Sequence, residues 1–303
     1  MEIQNRKSEI QNPPVGRESP RAFPLPSEPG YKCIKAIANG GYGYVYLFAT
    51  KQRKLTDRHH VAGKFVYQNI FGPADDPSST AAYQRALEGL QNFRSLSAES
   101  PYLLRVYDVR HRHEAGYFCY MMELADDMVS GQAIDSATYK PRTLKNELER
   151  SGPRTRLPAR ECTAIAIALA RGLQVLHESG FTHRDLRPSN IIFVNNVPKL
   201  ADIDLLAGHD PTLTSYIPRD YAAPEGSHSR QADIYSFGKT LYEMATGLSV
   251  KDYPCLPLDI RHWTDHRLVL QLNKVIARAC ARDLRKRYNS ARHLLNDLEH
   301  IQG

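Results

Sequence analysis

No run of apolar residues approaches the roughly 18 that a membrane span requires, so no membrane partner is expected. No Cys-x-x-Cys pair is present. The five cysteines stand apart at positions 33, 119, 162, 255 and 280, which argues against a zinc ribbon or a disulfide framework and fits a reducing, cytoplasmic setting. No hydrophobic signal core opens the chain: residues 1–30 hold six of the 19 prolines and four charges of each sign. Such a stretch cannot form a packed face and is expected to be a disordered, proline-rich leader. No internal repeat of roughly 20–50 residues is visible. Neither sign of charge dominates, since 40 Lys plus Arg against 33 Asp plus Glu give +7 over 303 residues. The basic stretch Arg278, Arg282, Arg285, Lys286, Arg287 and Arg292 lacks aromatic interleaving, so it reads as a solvated helix face and nucleic-acid binding is not expected. The remaining proportions, 42% hydrophobic and 24% charged, are those of a globular chain.

Two textures follow the leader. From Tyr31 to Glu123 the pattern predicts strands at Tyr31–Ala38, Tyr44–Ala49, His60–Tyr67, Leu103–Val109 and Gly116–Leu124, rich in β-branched and aromatic residues. One helix interrupts them at Thr80–Leu96, where Tyr83, Leu87, Leu90 and Phe93 recur at helical spacing. After Asp127 the periodicity is helical: Thr143–Arg150, Glu161–Glu178, Ala232–Thr246, Val269–Arg282 and Ser290–Ile301. Gly180 and Gly247 stand where C-terminal caps belong. The fold class is α+β and bilobal, with a β-rich lobe at 31–125, an α-helical lobe at 126–303, and a cleft between them as the natural ligand site.

The densest chemistry is His183-Arg184-Asp185-Leu186-Arg187-Pro188-Ser189-Asn190. A phosphoryl-transfer site needs a carboxylate to take the hydroxyl proton and a neutral oxygen ligand for Mg²⁺; Asp185 and Asn190 supply both on one loop. Further on, Asp202 ends a short apolar strand, where it is placed to chelate a phosphate-bridging metal. Upstream, Gly40, Gly41 and Gly43 join two strands and let backbone N–H groups approach phosphate. Lys64, inside Val61-Ala62-Gly63-Lys64, follows as a phosphate-binding lysine.

In this order and over most of its length the chain resembles the catalytic domain of a eukaryotic-like protein kinase of the bacterial serine/threonine type. Ala223-Pro224-Glu225 resembles the end of the activation segment, Asp233–Gly238 the anchoring helix of the large lobe, and Arg287 the partner of Glu225. Met121–Ala125 resembles the hinge, with Met122 as gatekeeper. The resemblance implies an ATP- and Mg²⁺-dependent kinase acting on Ser/Thr hydroxyls of protein substrates. Asp185, Lys64 and Arg187 would be catalytic, and Asn190 and Asp202 would hold metal. Gly40, Gly41, Gly43, Val45, Ala62, Lys64 and the backbone of Glu123 and Ala125 would bind nucleotide. A non-catalytic nucleotide-sensing scaffold of the same fold is the alternative. Departures that favour it are Ala38, Asp204 and Pro218 at positions where such kinases carry Gly, Gly and Thr; Arg187 replaces the usual loop lysine. The helix glutamate that pairs with the lysine falls on Ala86. Two arrangements stay open: a shifted helix that lets Glu88 reach Lys64, or no such pair.

Overall fold

The computed structural model describes residues 26–40, 43–50, 59–150, 152, 155–202, 220–226 and 229–302. The proline-rich stretch up to residue 25, Gly41, Asp204 and Pro218 lie outside them.

Five antiparallel strands form the first lobe: β1 (Tyr31–Gly40), β2 (Gly43–Thr50), β3 (His60–Tyr67), β4 (Val106–Arg112) and β5 (Tyr117–Met122), in the order β1-β2-β3-β5-β4. Side chains alternate between the two faces of a strand. One face therefore gathers Tyr46, Phe48, Phe65, Cys119 and Met121 with Tyr31 into an aromatic-rich outer cluster. Phe48 and Phe65 stack at 6.1 Å and Tyr46 meets Phe65 edge-on at 5.6 Å. The opposite face carries Leu47, Ala62 and Met122 toward the cleft, and Val66 and Phe118 toward α1 (Pro77–Glu99).

Helix α1 starts three residues before the expected Thr80. Asp76 caps it by accepting from the N–H groups of Ser78 and Ser79 at 3.2 and 3.1 Å, and Pro77 is tolerated in the first turn, where its missing N–H has no intrahelical partner. Its buried face is Ala82, Tyr83, Ala86, Leu87, Leu90 and Phe93, the amphipathic stripe that the spacing predicted. Strand β4 departs from expectation, opening at Val106 and not at Leu103. Leu103 and Leu104 are drawn to a different partner: Leu104 donates its N–H to Leu200 O at 2.9 Å, and Leu200 donates to Tyr102 O at 2.9 Å. This seam joins the two lobes through buried leucines.

The second lobe is α2 (Leu144–Glu149), α3 (Ala159–Glu178), the hairpin β6 (Ile191–Val194) and β7 (Val197–Leu200), α4 (Arg230–Thr246), α5 (His266–Ala279) and α6 (Ala291–Gln302). Helices α3 and α4 are buried on most sides, consistent with their apolar or small residues. Gly180 and Gly247 take positive φ of 85° and 68° just past α3 and α4, as the capping argument requires. Helix α5 spans 266–279 and not the expected 269–282, because the apolar pattern marks its buried face while the polar His266 and Arg267 form its first turn. Asn195 and Asn196, at φ 53° and 64°, make the tight turn of the β6–β7 hairpin. Both their N–H groups point at the fully buried Asp126 carboxylate, at 3.0 and 2.8 Å. That contact fixes the hairpin under the segment that joins the lobes.

The packed chain begins before Tyr31. Glu28, whose side chain has no exposed surface, pairs with Arg110 and Arg112 at 3.2 and 2.6 Å and accepts from the Tyr117 hydroxyl at 2.9 Å. Burial disfavours its charge, but the hydrogen bonds from Arg112, Tyr117 and Arg110 outweigh burial and hold the carboxyl below its ordinary value of 4.5. Its stabilisation is therefore present at neutral pH and is lost as pH falls through the lowered value. Replacing one partner of a buried charged network costs about 1–3 kcal/mol. Glu28→Gln is expected to lower stability to urea by that amount at pH 7, and by less below pH ~4; equal urea midpoints at pH 7 would rule the anchor out.

Candidate active site

The catalytic-loop candidates owe their placement to one carboxylate. Asp233, in the first turn of α4 and 1% exposed, accepts from the N–H groups of His183 and Arg184 at 2.7 and 2.8 Å, and bonds His177 Nε2 at 2.8 Å. Two consecutive N–H groups converging on it bend the chain at Arg184, which takes φ 66°. The bend delivers Asp185 toward the cleft. A short 3-10 turn, Pro188–Asn190, then folds back so that Asn190 Nδ2 donates to the Asp185 backbone carbonyl at 2.8 Å and to its Oδ2 at 2.7 Å. Arg187 Nε lies 3.0 Å from Asp185 Oδ1 and donates to Oδ2 at 3.2 Å. Oδ1 itself accepts no hydrogen bond and is buried. Burial favours the protonated carboxyl, so the Asp185 pKa rises despite Arg187 and Asn190, which act to lower it. The arrangement is a buried carboxylate oxygen that accepts no hydrogen bond, oriented by its neighbours and flanked by the Arg187 guanidinium.

Across the cleft, Lys64 is held by strand register. It stands opposite Val45 of β2 and Tyr120 of β5, so all three point to the cleft face. Its ammonium makes an ion pair with Asp202. Asp202 stands two residues past the end of β7 and takes φ 53°, a left-handed conformation that aspartate tolerates better than most residues. Burial opposes its charge, but the Lys64 ammonium wins and holds the carboxyl below its ordinary range. Glu88 does not take part. It is exposed on the far side of α1 and accepts from Gln84 at 3.2 Å, so of the two arrangements left open the Glu88–Lys64 pair is the one that is absent.

The cleft encloses about 260 Å³. Of the residues singled out in the sequence, Val45, Ala62, Lys64, Glu123, Ala125, Arg187, Asn190 and Asp202 line it together. Asp185 stands behind Asn190 and Arg187. Gly40 and Gly43 pair with each other to close the β1–β2 hairpin, and Gly41 lies outside the described residues. Gly43 has φ 144°, and a Cβ there would sit 2.0 Å from the Phe65 carbonyl oxygen, so the hairpin can only close on glycine. At the hinge, Glu123 donates its N–H to Arg105 O at 3.0 Å, while its carboxylate binds Lys199 at 2.7 Å. The Ala125 carbonyl accepts the Tyr139 hydroxyl at 3.2 Å. Among the described residues, the Glu123 carbonyl and the Ala125 N–H make no hydrogen bond.

Sequence reasoning missed several lining residues. Leu104, Tyr139, Pro141 and Thr143 close the apolar end, and Tyr139 comes from a loop whose residues carry no periodic signal. Tyr120 was legible in principle, two places before Met122 and hence on the same strand face. On the other side of the second lobe, the expected pair is present: Arg287 donates to Glu225 at 2.5 and 3.2 Å.

Among the described residues no group of three or more His, Cys, Asp and Glu is placed to hold a metal. Asp202 and Asn190 both line the cleft. Nor, among those residues, is any helix long and apolar enough to cross a membrane.

A model of the protein kinase domain matches residues 31–296. A probable serine/threonine-protein kinase of Clostridium perfringens is 25% identical over 293 residues, which covers 90% of this chain and 38% of the relative. The serine/threonine-protein kinase PknB of Mycobacterium tuberculosis is 27% identical over 301 residues, with 90% and 43% covered. The chain thus spans about two fifths of the length of these curated relatives. Among solved structures, the kinase domain of PknI from M. tuberculosis overlays with a TM-score of 0.60 at 21% identity, over 90% of this chain and 96% of that one. The five-stranded sheet, the hinge, the loop turned by Asp233 and the match over residues 31–296 lead to one assignment: the chain belongs to the protein kinase domain family.

Proposed function

We propose that the chain transfers the γ-phosphate of ATP to serine or threonine hydroxyls of protein substrates, with Mg²⁺ as cofactor. The observation that carries this reading is Asp185 Oδ1, a buried carboxylate oxygen with no hydrogen-bond partner beside the cleft. It is the acceptor that an incoming hydroxyl proton needs. Asn190 and Arg187 orient the carboxylate. The apolar end of the cleft, with Val45, Ala62, Leu104 and Met122, suits a purine ring, and the Glu123 carbonyl and Ala125 N–H suit its polar edge. Asp202 and Asn190 would hold Mg²⁺, which when bound neutralises charge on the phosphate oxygens. Lys64, paired with Asp202, orients the phosphates, while Arg187 keeps a positive charge where the family's lysine stands. The lobes at 31–125 and 126–303 are the units that clamp the nucleotide. The five free cysteines fit a reducing, cytoplasmic compartment.

The test is incubation of the purified chain with labelled ATP, Mg²⁺ and generic protein substrates. Transfer of label to protein supports the reading; its absence at every Mg²⁺ concentration overturns it. Lys64→Met is expected to cut turnover by about 10²-fold, the usual worth of one electrostatic donor at a reacting group. ATP affinity should fall much less, because the apolar end of the cleft is untouched. A variant that loses affinity and turnover equally would show that Lys64 only binds.

A further inference from the structure

We propose that the Tyr120 hydroxyl is the fixed group that positions Lys64, in the role that a helix carboxylate fills in the kinases this chain resembles. The inference rests on the reading of the cleft as a phosphotransfer site.

Three observations lead to it. First, helix α1 has no carboxylate to offer. Its buried face is Ala82, Tyr83, Ala86, Leu87, Leu90 and Phe93, and Glu88 is exposed and engaged by Gln84. Second, Tyr120 is directly opposite Lys64 in the β3–β5 ladder and lines the cleft with it. Side chains at directly opposed positions share a face and have Cβ atoms about 5 Å apart, which brings their ends together. The Lys64 ammonium is within hydrogen-bonding reach of the Tyr120 oxygen, and a phenol is neutral at pH 7, so its oxygen is free to accept from the ammonium. Third, the Tyr120 ring packs against both the core cluster that holds Ala86 and the cluster at the apolar end of the cleft. The ring is therefore held on two sides.

The physical need is specific. A lysine head has three donors on a flexible four-carbon stem, and it must be held still to orient a phosphate. Asp202 takes one donor here, but Asp202 is also the residue that would turn to a metal. A second, neutral partner built into the sheet holds Lys64 without competing for the cation. It also frees the lysine from the position of α1, because β3 and β5 are one hydrogen-bonded ladder.

Tyr120→Phe keeps the ring and removes only the oxygen. We expect kcat to fall about tenfold, the effect of losing one hydrogen bond to a charged group, with the KM for ATP within about twofold and the melting temperature unchanged. Tyr120→Leu removes the packing as well and should lower the melting temperature in addition. A Phe variant with wild-type kcat overturns the assignment. So does a Phe variant in which kcat falls only together with the melting temperature, since that marks a packing role. The wild-type chain run alongside separates the two readings: if it transfers no phosphate, the phosphotransfer reading itself has failed, and the role of Tyr120 falls with it.

Discussion

Asp185→Asn is expected to reduce turnover by about 10²–10⁴-fold, the range spanned by general acid–base catalysis. The change is nearly isosteric. The loop geometry does not depend on the Asp185 charge, because the bend at Arg184 is made by Asp233 and the Asn190 amide also binds the Asp185 backbone carbonyl at 2.8 Å. What is lost is the acceptor. Oδ1 accepts no hydrogen bond in the free protein, having only the Arg187 guanidinium beside it at 3.0 Å, and an amide in its place cannot take up a proton. Nucleotide affinity should change little, since Asp185 lies behind the residues that line the cleft. Stability should stay level or rise. Burial raises the Asp185 pKa, so the folded protein binds the proton more tightly than the unfolded chain, and at neutral pH the bare charge acts against folding. A neutral amide removes that penalty. Initial rates of label transfer, ATP titration and thermal melts on the same two proteins check all three statements. A variant as fast as wild type would remove Asp185 from the chemistry; a variant that melts well below it would move Asp185 from a functional to a structural role.

The parts of the site that were legible in the sequence are those where one short segment carries several chemical groups. His183 to Asn190 is a single loop, so its order alone places Asp185 and Asn190 together. Lys64 was legible because a lysine inside an apolar strand must point somewhere particular. Glu225 and Arg287 were legible only through the resemblance, since 61 residues separate them in the chain. The rest depends on packing between distant segments. Nothing local tells Leu103 and Leu104 to leave β4 and bond Leu200, because apolar residues suit either seam. The loop that brings Tyr139 to the hinge has no periodicity, and its position follows from the bond to the Ala125 carbonyl. The choice between a Glu88–Lys64 pair and none turns on which face of α1 is buried. The spacing of Leu90 and Phe93 implied that face, and Glu88 lies off it.

Arg287→Ala is expected to destabilise the second lobe by about 3–5 kcal/mol, the cost of removing one member of a buried, hydrogen-bonded ion pair. The Arg287 side chain has no exposed surface, while Glu225 keeps 28% of its own. The guanidinium serves four acceptors: both oxygens of Glu225 at 2.5 and 3.2 Å, the Gln231 carbonyl at 2.9 Å and the Ala281 carbonyl at 2.8 Å. It also lies 5.0 Å from the centre of the Tyr235 ring. A methyl group leaves two partly buried carbonyls without their donor, opens a cavity beside Tyr235, and detaches Ala223–Glu225 from α4 and from the turn before α6. Glu225→Gln makes the complementary change. It keeps one acceptor oxygen but leaves the arginine charge buried without its counter-ion, and it should cost less, about 1–3 kcal/mol, because the carbonyl contacts survive. Lysine at 287 cannot repeat the four contacts from a single nitrogen and should fall between the two. The coupling is measurable by urea denaturation of the two single variants and of the double variant. If Arg287 acts through Glu225, the double variant should be less destabilised than the sum of the singles. Strict additivity would show that the two carbonyls, and not the carboxylate, account for the arginine's contribution. An Arg287→Ala protein as stable as wild type would show that the guanidinium ties nothing together.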